Sequence, residues 1–448
     1  MPDLGELGLI VSEAYQPRLV DSQLKQYLRT FGAVEIVGCR WCGKTWTAIA
    51  HGNSVIRLDD PQIRSLIEAD NNLAFEGERP HVIDEWQVVP SLWDATRRKV
   101  DDAGSQKGLF ILTGSSTPHK NEVMHSGAGR IARIRMRPMS LAETSASDKS
   151  VSLAGLFEGE FNKGPVQTDL KYLAHLICRG GWPGALHLEH EDDTGLLPLQ
   201  YLDSLLSNDI RRKGLNENTM QRLLSSLART IGSAATVQTL GNDIIDGDVD
   251  VENGSKNNLS ETNGVLSRSI TAKYLEFLQE QFLIEDLVGW DAPVKSRSRV
   301  RSKPKRTFVD PSLPAVLLGF NASRLMMEMQ VFGQLFEELC LRDLRVYTST
   351  MEGIWSNPVR YYRDSDGLEV DAIIELVDGR WAAFEIKLSQ NKVDDGVKNL
   401  LRLRDKVRAN PAAHNQEPAF LAVIVGKADF KYQTPEGVYV VPITSLTA

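Results

Sequence analysis

The sequence lacks several features that define large classes of protein. Its four cysteines in 448 residues are too few for a secreted scaffold held by disulfides. No apolar run reaches the ~20 residues of a membrane-spanning helix, and the net charge of −8 argues against a generally basic nucleic-acid-binding surface. The N-terminal segment is acidic where a secretory signal is positive, and it has no apolar core. These absences predict a soluble cytoplasmic protein that does not enter a membrane.

The composition is otherwise ordinary, with 42% hydrophobic and 25% charged residues, which is typical of globular proteins. A chain of this length accommodates about three domains. Changes of pattern along the chain predict an α/β protein with a parallel-sheet domain at 1–165, a helical domain at 166–310 and a C-terminal α/β domain at 311–448.

The stretch GCRWCGKT (38–45) admits two interpretations. Its cysteines have the spacing of a zinc or redox pair, whereas the whole stretch fits the phosphate-binding pattern G-x-x-x-x-G-K-[ST]. A zinc site needs further ligands, and His175 with Cys178 lies far downstream in a helical stretch. The apolar strand before the stretch and the helix after it favour phosphate. The predicted nucleotide-binding residues are Gly38, Cys39, Arg40, Trp41, Cys42, Gly43, Lys44 and Thr45.

A nucleotide hydrolase also needs groups that bind metal and activate water. Lys44 would reach the β- and γ-phosphates, and the Thr45 hydroxyl would bind Mg²⁺. Downstream, RPHVIDEWQ supplies Asp84 and Glu85. We predict that Asp84 holds Mg²⁺ through water and that Glu85 polarises the attacking water. The short apolar run before them makes this motif weak by itself, and its position after the loop strengthens it.

Further strands and a helix start complete an alternating βαβ pattern, which predicts a parallel sheet. SVIRL (54–58) is typical of a strand, and Asp60-Pro61 is typical of a helix start with an N-cap and proline at the first helical position. GLFILTGSS predicts a third strand that ends at Thr113 and the following serines. A polar side chain there could sense the γ-phosphate, or these residues simply form a turn.

Several of these segments together resemble a known family. They are YQPRLVD (15–21), GCRWCGKT, VIDEWQ, FILTGSS, SGAGRI (126–131) and RMRPMSLAE (135–143). They resemble bacterial and archaeal AAA-type ATPases that carry a C-terminal domain of unknown function. The resemblance implies an ATP-binding hydrolase that uses Mg²⁺, with ATP favoured over GTP.

By the same resemblance, Arg130 matches the position of an arginine finger or sensor, and Arg133 is a nearby alternative. Arginine suits this role because its guanidinium stays charged and forks onto phosphate oxygens. The other interpretation is a basic cluster on a solvated face. AAA relatives often form rings, which makes an oligomer an open expectation.

From about Gln167 the pattern becomes helical, and the polar segment 242–263 predicts a surface loop. The stretch SRSITAKYLEFLQEQFLIEDLVGW resembles a winged-helix unit. The basic segment KSRSRVRSKPKR (295–306) lies where a wing would fall. It predicts salt-sensitive, weakly specific DNA contact, or else a basic turn that faces solvent or the ATPase.

In the last third, the helix FGQLFEELCLRDL precedes a stretch that predicts a β-hairpin of two long strands with Asp-Gly turns. Because strand side chains alternate, pairing brings Asp371, Glu385 and Lys387 together. Two carboxylates with a lysine suit a Mg²⁺ site for phosphodiester cleavage. The arrangement resembles the PD-(D/E)XK, restriction-endonuclease-like fold, with Glu337 matching its helical acid. Alternatively, the fold persists as a binding module and these residues form surface ion pairs.

The sequence thus predicts an ATP hydrolase coupled to DNA or to a protein partner through winged-helix-like and nuclease-like domains. Two alternatives remain open. One is an ATP-gated binding switch with little turnover, and the other is a DNA nuclease that ATP licenses.

Overall fold

The computed structural model describes residues 15–115, 127–186, 188, 191–244, 266–291, 303–411, 413 and 417–448. The chain divides into two compact units. The first holds residues up to Met139 together with Glu280–Phe282, and the second holds Ser140–Gln279 and Leu283–Ala448. The predicted division into three domains stays a prediction.

A five-stranded parallel sheet forms the centre of the first unit, in the order β2-β3-β4-β1-β5. Its strands are β1 (Ala33–Val37), β2 (Ser54–Arg57), β3 (His81–Asp84), β4 (Phe110–Gly114) and β5 (Ile131–Arg135). Its helices include α1 (Val20–Thr30), α2 (Lys44–His51), α3 (Pro61–Ala69) and α4 (Ser91–Asp102). Strands β1, β3 and β4 are buried along their whole length, as central parallel strands are. The predicted α/β class with an N-terminal parallel sheet is confirmed.

Local signals placed the start of α3 correctly. The Asp60 side chain accepts a hydrogen bond from the backbone N–H of Gln62 at 2.8 Å, and Pro61 occupies the first turn. An aspartate cap satisfies one of the orphan donors at a helix start. Proline costs nothing there, because its missing N–H would have no partner.

The register of the sheet decides which residues meet at its functional edge. Val37 pairs with Gly114, and Ile83 pairs with Leu112. Parallel strands all end at the same edge, and ligands of open α/β sheets bind beyond the carboxyl ends of the strands. The loop after β1 therefore lies beside the residues that follow β3 and β4.

The second unit is built on a seven-stranded mixed sheet in the order β10-β11-β12-β13-β15-β14-β7. Its strands are β7 (Gly164–Pro165), β10 (Ile354–Arg363), β11 (Glu369–Leu376), β12 (Trp381–Ser389), β13 (Phe420–Lys427), β14 (Phe430–Gln433) and β15 (Tyr439–Pro442). Two smaller ladders join β6 (Val151–Ser152) to β16 (Leu446–Thr447), and β8 (Ile284–Leu287) to β9 (Lys305–Phe308).

Helices of the second unit, in chain order, are α5 (Leu153–Phe157), α6 (Leu170–Arg179), α7 (Leu196–Ser204), α8 (Ile210–Arg212), α9 (Glu217–Arg229), α10 (Val237–Asp243), α11 (Arg268–Glu280), α12 (Ser312–Leu317), α13 (Ala322–Leu325), α14 (Met329–Thr348) and α15 (Val393–Arg408). The last residue of α11 belongs to the first unit. The α15 helix connects β12 to β13, which are parallel neighbours, as a crossover helix does.

Sequence analysis predicted a hairpin of two long strands in the last third, and this number of strands is wrong. The segment forms three antiparallel strands, β10, β11 and β12. Gly367 and Gly379 have positive φ angles of 78° and 86°, so each of the two Asp-Gly pairs reverses the chain. The pairing of Asp371's strand with that of Glu385 and Lys387 is nevertheless as predicted, with Ala372 opposite Phe384.

The helical middle region is present between Leu170 and Glu280 in the described residues. The α11 helix is followed by the antiparallel β8–β9 pair, while the winged-helix assignment stays a prediction. The greater part of the predicted loop at 242–263 and of the basic segment at 295–306 lies outside the described residues. Within the described ranges, no helix combines the length and apolarity needed to cross a bilayer. The cytoplasmic location stays a prediction.

A buried arginine joins distant segments of the second unit. Arg342 is 2% exposed and bonds Asp310 at 2.9 Å and Asp343 at 2.7 Å. Burial disfavours its charge, but the two carboxylates outweigh burial and raise the pKa of Arg342. Asp310 also accepts from the backbone N–H of Gly181, and Asp343 accepts from that of Leu141. One charge therefore holds α14 against three chain segments.

Replacing Arg342 with methionine should destabilise the protein by about 3–5 kcal/mol, because Asp310 and Asp343 would stay buried without their cation. Urea unfolding measures this. Arg408→Met is the matched control, because Arg408 pairs with Glu417 on the surface, where the side chains are 52% and 56% exposed. That change should leave the free energy of unfolding nearly unchanged, because water screens an exposed ion pair. Equal losses in the two variants would contradict the assignment.

Candidate nucleotide site

The loop between β1 and α2 has a backbone that only particular residues allow. Gly43 has a φ of 101°, and Trp41 has a φ of 62°. A methyl group on Gly38 would lie 2.1 Å from the carbonyl oxygen of Met136, far inside van der Waals contact. Met136 is fixed in turn, since its N–H donates to the Val37 carbonyl at 2.8 Å. Glycine at 38 is therefore a packing requirement, and the predicted loop is present.

Lys44 is the first residue of α2 and is 5% exposed. Its ammonium donates to the Cys39 carbonyl oxygen at 2.8 Å, so the side chain folds back across the loop. The helix start supplies backbone N–H groups and a partial positive charge. This donor set suits an anion such as a nucleotide phosphate.

An arginine from outside the loop also holds its backbone in place, and sequence analysis gave this arginine no role. Arg18 donates to the Cys42 carbonyl at 2.7 Å and to the Arg137 carbonyl at 2.9 Å. It therefore ties the loop backbone to the segment that follows β5. Arg18 lies within YQPRLVD, one of the segments that carried the family resemblance, and that is the signal that could have found it.

Asp84 ends β3 and accepts two hydroxyl hydrogen bonds at one oxygen. Thr45 donates to Oδ1 at 2.8 Å, and Thr113 donates to the same oxygen at 2.6 Å. Burial raises the pKa of Asp84, and the two hydroxyl bonds oppose that shift. A hydroxyl beside a carboxylate is the oxygen-only donor set that Mg²⁺ prefers. Thr45 and Asp84 are thus brought together as the sequence predicted.

Glu85 follows Asp84 in a left-handed conformation, with φ 58° and ψ 42°. Its backbone N–H donates to the Thr113 hydroxyl at 3.0 Å. Thr113 therefore bridges the two acids, a contact that its predicted γ-phosphate-sensing role did not include. The Glu85 carboxylate accepts from Ser115 at 3.0 Å and contacts Gln87. Sequence analysis missed Gln87, which lies two residues beyond Glu85 in VIDEWQ and meets it only because Glu85 has a positive φ.

The two candidate finger arginines lie away from this loop. Arg130 precedes Ile131, which pairs with Ala33 at the start of β1. Arg130 is therefore level with Gly32, six residues before Gly38, and a strand rises about 3.3 Å per residue, so Arg130 lies roughly 20 Å from Gly38 along the sheet. Arg130 bonds Asp101 at 2.8 Å. The finger role of Arg130 stays a prediction. At this separation, Arg130 does not reach a nucleotide bound to the loop of its own chain.

Arg133 forms an ion pair with an acid of β1, and its own side chain is 51% exposed. It donates to Glu35 at 2.6 Å, and Glu35 is fully buried on β1. Burial raises the pKa of Glu35 in spite of this bond. Trp86 donates to the other carboxylate oxygen at 3.0 Å. Arg133 thus pairs with a core acid, and its role as an alternative finger stays a prediction.

The cysteine pair of the loop is buried, and both residues are thiols. Burial would raise the pKa of Cys42, but a hydrogen bond with Cys39 and the charges of Lys44 and Arg18 bring it down to about 6. Among the described residues, no group of three or more histidine, cysteine, aspartate or glutamate side chains is arranged to hold a metal ion.

The acidic cluster of the second unit gathers the residues that the sequence grouped. Lys387 lies 3.6 Å from Asp371 and also pairs with Glu385. The backbone N–H of Ile386 donates to Asp371 at 2.7 Å. Burial and the charge of Asp371 raise the pKa of Glu385 to about 8. The predicted strand pairing therefore does bring these three side chains together.

Glu337 on α14 joins this cluster through Lys305, which sequence analysis placed in the basic segment at 295–306. Lys305 is 2% exposed and lies 3.5 Å from Glu337 and 2.6 Å from Glu369. Burial opposes its charge, but the surrounding carboxylates outweigh burial and raise the pKa of Lys305. Burial and the charge of Asp371 raise the pKa of Glu337 to about 7.

Lys305 and its neighbour Arg306 belong to the predicted DNA-contacting segment, yet both face inward. Lys305 lies among the acids just described, and Arg306 donates to the Ala235 carbonyl at 2.8 Å. Residues 295–302 lie outside the described residues. DNA contact by this segment stays a prediction.

Comparison with known proteins agrees with the geometry of the first unit. Residues 30–145 match a family model described as an AAA domain. Residues 170–324 and 332–446 match two models described as domains of unknown function, DUF8612 and DUF4143. The first of these matches supports an AAA-type P-loop fold for residues 30–145. The nuclease-like assignment stays a prediction.

Two individual proteins are similar to this chain. The uncharacterized protein MJ1544 of Methanocaldococcus jannaschii is 22% identical over 304 residues, which cover 67% of this chain. This chain spans 60% of the length of that relative. The Walker-type ATPase paby2304 of Pyrococcus abyssi has 12% sequence identity and a TM-score of 0.39, covering 68% of this chain and 96% of that one.

Gly38→Ala should abolish the phosphate-binding conformation of the loop, because its methyl group would overlap the Met136 carbonyl. We expect the affinity for a fluorescent ATP analogue to fall by about tenfold or more, equivalent to at least about 1.4 kcal/mol. Gly104→Ala is the control. Gly104 also has a positive φ, 66°, but a methyl group there meets nothing within 4 Å. Unchanged binding by Gly38→Ala would refute this account of the loop.

Proposed function

We propose that this protein is a Mg²⁺-dependent ATP hydrolase whose turnover is coupled to a DNA or protein partner. The observation that carries the proposal is the single oxygen of Asp84 that accepts from both Thr45 and Thr113, with Glu85 as the next residue. This arrangement joins the end of the phosphate loop to the two acids that hydrolysis needs. The AAA-domain match at 30–145 supports the same function.

Each side chain has a role that its environment supports. Lys44 and the N–H groups of Gly38–Thr45 hold the phosphates. Thr45 and Asp84 hold Mg²⁺, which when bound offsets negative charge on the β- and γ-phosphates. Glu85 accepts a proton from the attacking water. Thr113 keeps the two acids in place, and Arg130 acts on the nucleotide of a neighbouring copy in an oligomer.

The coupling rests on the helical and C-terminal parts of the chain, which match families other than the AAA domain. DNA contact would come from the basic segment at 295–306, of which residues 295–302 carry most of the charge. The principal alternative is an ATP-gated switch that holds its partner with little turnover. The two differ in the rate of hydrolysis, since both need the same loop.

Steady-state ATP hydrolysis by wild type, Lys44→Ala and Glu85→Gln tests the proposal. Lys44→Ala should lose ATP binding, because it removes the ammonium that lies across the loop and donates to the Cys39 carbonyl. Glu85→Gln should bind ATP and lose roughly 10²–10⁴-fold in kcat, because the general base is gone. Glu68→Gln, an exposed residue of α3, is the control and should match wild type.

The same assays are repeated with duplex DNA at low and at physiological salt. Stimulation that weakens with salt would identify DNA as the coupled partner, and no effect of DNA would leave a protein as the partner. ATP binding without turnover by wild type would overturn the hydrolase in favour of the switch.

For the cluster of Glu337, Asp371, Glu385 and Lys387, we propose a binding role instead of DNA cleavage. Lys387 already pairs with Asp371 and Glu385, and Lys305 already pairs with Glu337. A carboxylate paired with an ammonium group has less net charge to offer a divalent cation. The two ammonium groups therefore offset part of the negative charge that would attract Mg²⁺ to this cluster.

Wild type should nick supercoiled plasmid DNA in Mg²⁺ or Mn²⁺ no faster than Asp371→Asn does. We expect equal nicking rates because Lys387 already pairs with Asp371 and Glu385. Asp394→Asn, an exposed acid of α15, controls for a general loss of negative charge. Nicking by wild type and by Asp394→Asn that Asp371→Asn lacks would establish a nuclease and reject the binding role.

A further inference from the structure

Three polar side chains form a closed set of contacts beyond the ends of β3 and β4. The Ser115 hydroxyl donates to Glu85 Oε2 at 3.0 Å. The Gln87 amide nitrogen donates to the same oxygen and lies 3.3 Å from the Ser115 hydroxyl. Every hydrogen bond recorded for the Glu85 carboxylate among the described residues therefore falls on Oε2.

The backbone of Glu85 has an unusual conformation and is hydrogen-bonded to Thr113. A residue with a side chain rarely adopts positive φ, yet Glu85 does so at 58°. Its N–H is bonded to Thr113 at 3.0 Å. The direction of the Glu85 side chain is thus fixed by its neighbours on β4 and not by the alternation of β3.

Gln87 has a feature that stability does not explain. Its amide oxygen is buried and has no hydrogen-bond partner among the described residues. Buried polar atoms in native proteins are nearly always paired, and an exception calls for a reason. An apolar side chain of the same shape would avoid this cost, so the contact of its amide nitrogen with Glu85 is the reason that the structure offers.

We propose that Gln87 and Ser115 are positioning residues that hold Glu85 Oε2, so that Oε1 accepts the proton of the attacking water. The inference rests on the proposed ATP hydrolase function. In the reaction, the water oxygen bonds to the γ-phosphorus, the bond from that phosphorus to the bridging oxygen breaks, and ADP departs with the bond's electron pair. The proton released by the water passes to Oε1 and is later returned to the phosphate.

The two donors act by limiting where Glu85 can point. A carboxylate free to rotate spends less time in the attacking geometry, and small misplacements of reacting groups cost up to about 10²-fold in rate. Substrate affinity should be untouched, because neither donor contacts the phosphate loop in the described structure. The signature is therefore a loss in kcat with no change in KM.

A pair of equal-sized substitutions at Ser115 isolates the hydroxyl. Ser115→Val and Ser115→Thr have the same shape, and only threonine keeps the donor. We expect Ser115→Val and Gln87→Met to lower kcat roughly 10- to 100-fold and to leave KM and the Kd for a fluorescent ATP analogue unchanged. Ser115→Thr should retain most of the wild-type kcat. Equal rates for the valine and threonine variants would overturn the inference.

A second readout needs no nucleotide. In the ligand-free protein, Ser115→Val should lower the melting temperature in the wild-type background and have a smaller effect in a Glu85→Ala background, because the partner is already absent. Additive shifts would show that the two side chains do not interact and would overturn the inference. Absence of turnover in wild type would overturn the proposed function, and the positioning role with it. Wild-type turnover with no loss in Ser115→Val would overturn the positioning role alone.

Discussion

The candidate nucleotide site of the first unit depends on the hydrogen bonds that the Asp84 carboxylate accepts. Its Oδ1 accepts from Thr45 and from Thr113, so one atom joins the start of α2 to the ends of β3 and β4. Both donors are neutral hydroxyls, which hold the acid in place without cancelling its charge. Glu85 then inherits its position from the same group, because its N–H bonds the threonine that bonds Asp84. The loop, Asp84 and Glu85 are therefore fixed by one shared set of hydrogen bonds.

The acids of the second unit are held by a different kind of partner. Asp371, Glu385 and Glu337 lie beside ammonium groups, those of Lys387 and Lys305. An ammonium both orients a carboxylate and offsets its charge, whereas a hydroxyl only orients it. A carboxylate paired with a lysine has less net charge to offer a divalent cation than one held by neutral hydroxyls, as Asp84 is. This difference in partners, and not the number of acids, is why we place the chemistry in the first unit.

Features that depend on local signals were predictable from the sequence. Glycine spacing gave the loop of residues 38–45, an aspartate before proline gave the start of α3, and strand alternation brought Asp371 to Glu385. The contacts of Gln87 and Lys305 were not predictable. Gln87 meets Glu85 only because Glu85 leaves the strand conformation. Lys305 belongs to a run of basic residues that indicates a solvated face, yet its acids come from α14 and β11, far along the chain.

The register of the sheet joins two questions that the sequence left separate, namely the identity of the arginine finger and the oligomeric state. Arg130 lies at the start of β5, and the phosphate loop follows the end of the parallel neighbour β1. That separation of roughly 20 Å along the sheet exceeds the length of an arginine side chain, and the guanidinium is bonded to Asp101. If Arg130 contacts a nucleotide, the nucleotide belongs to another copy of the chain. A finger at Arg130 therefore requires an oligomer, and a monomeric hydrolase would have to stabilise the transition state with cations of its own loop, such as Lys44 and Arg40, together with Mg²⁺.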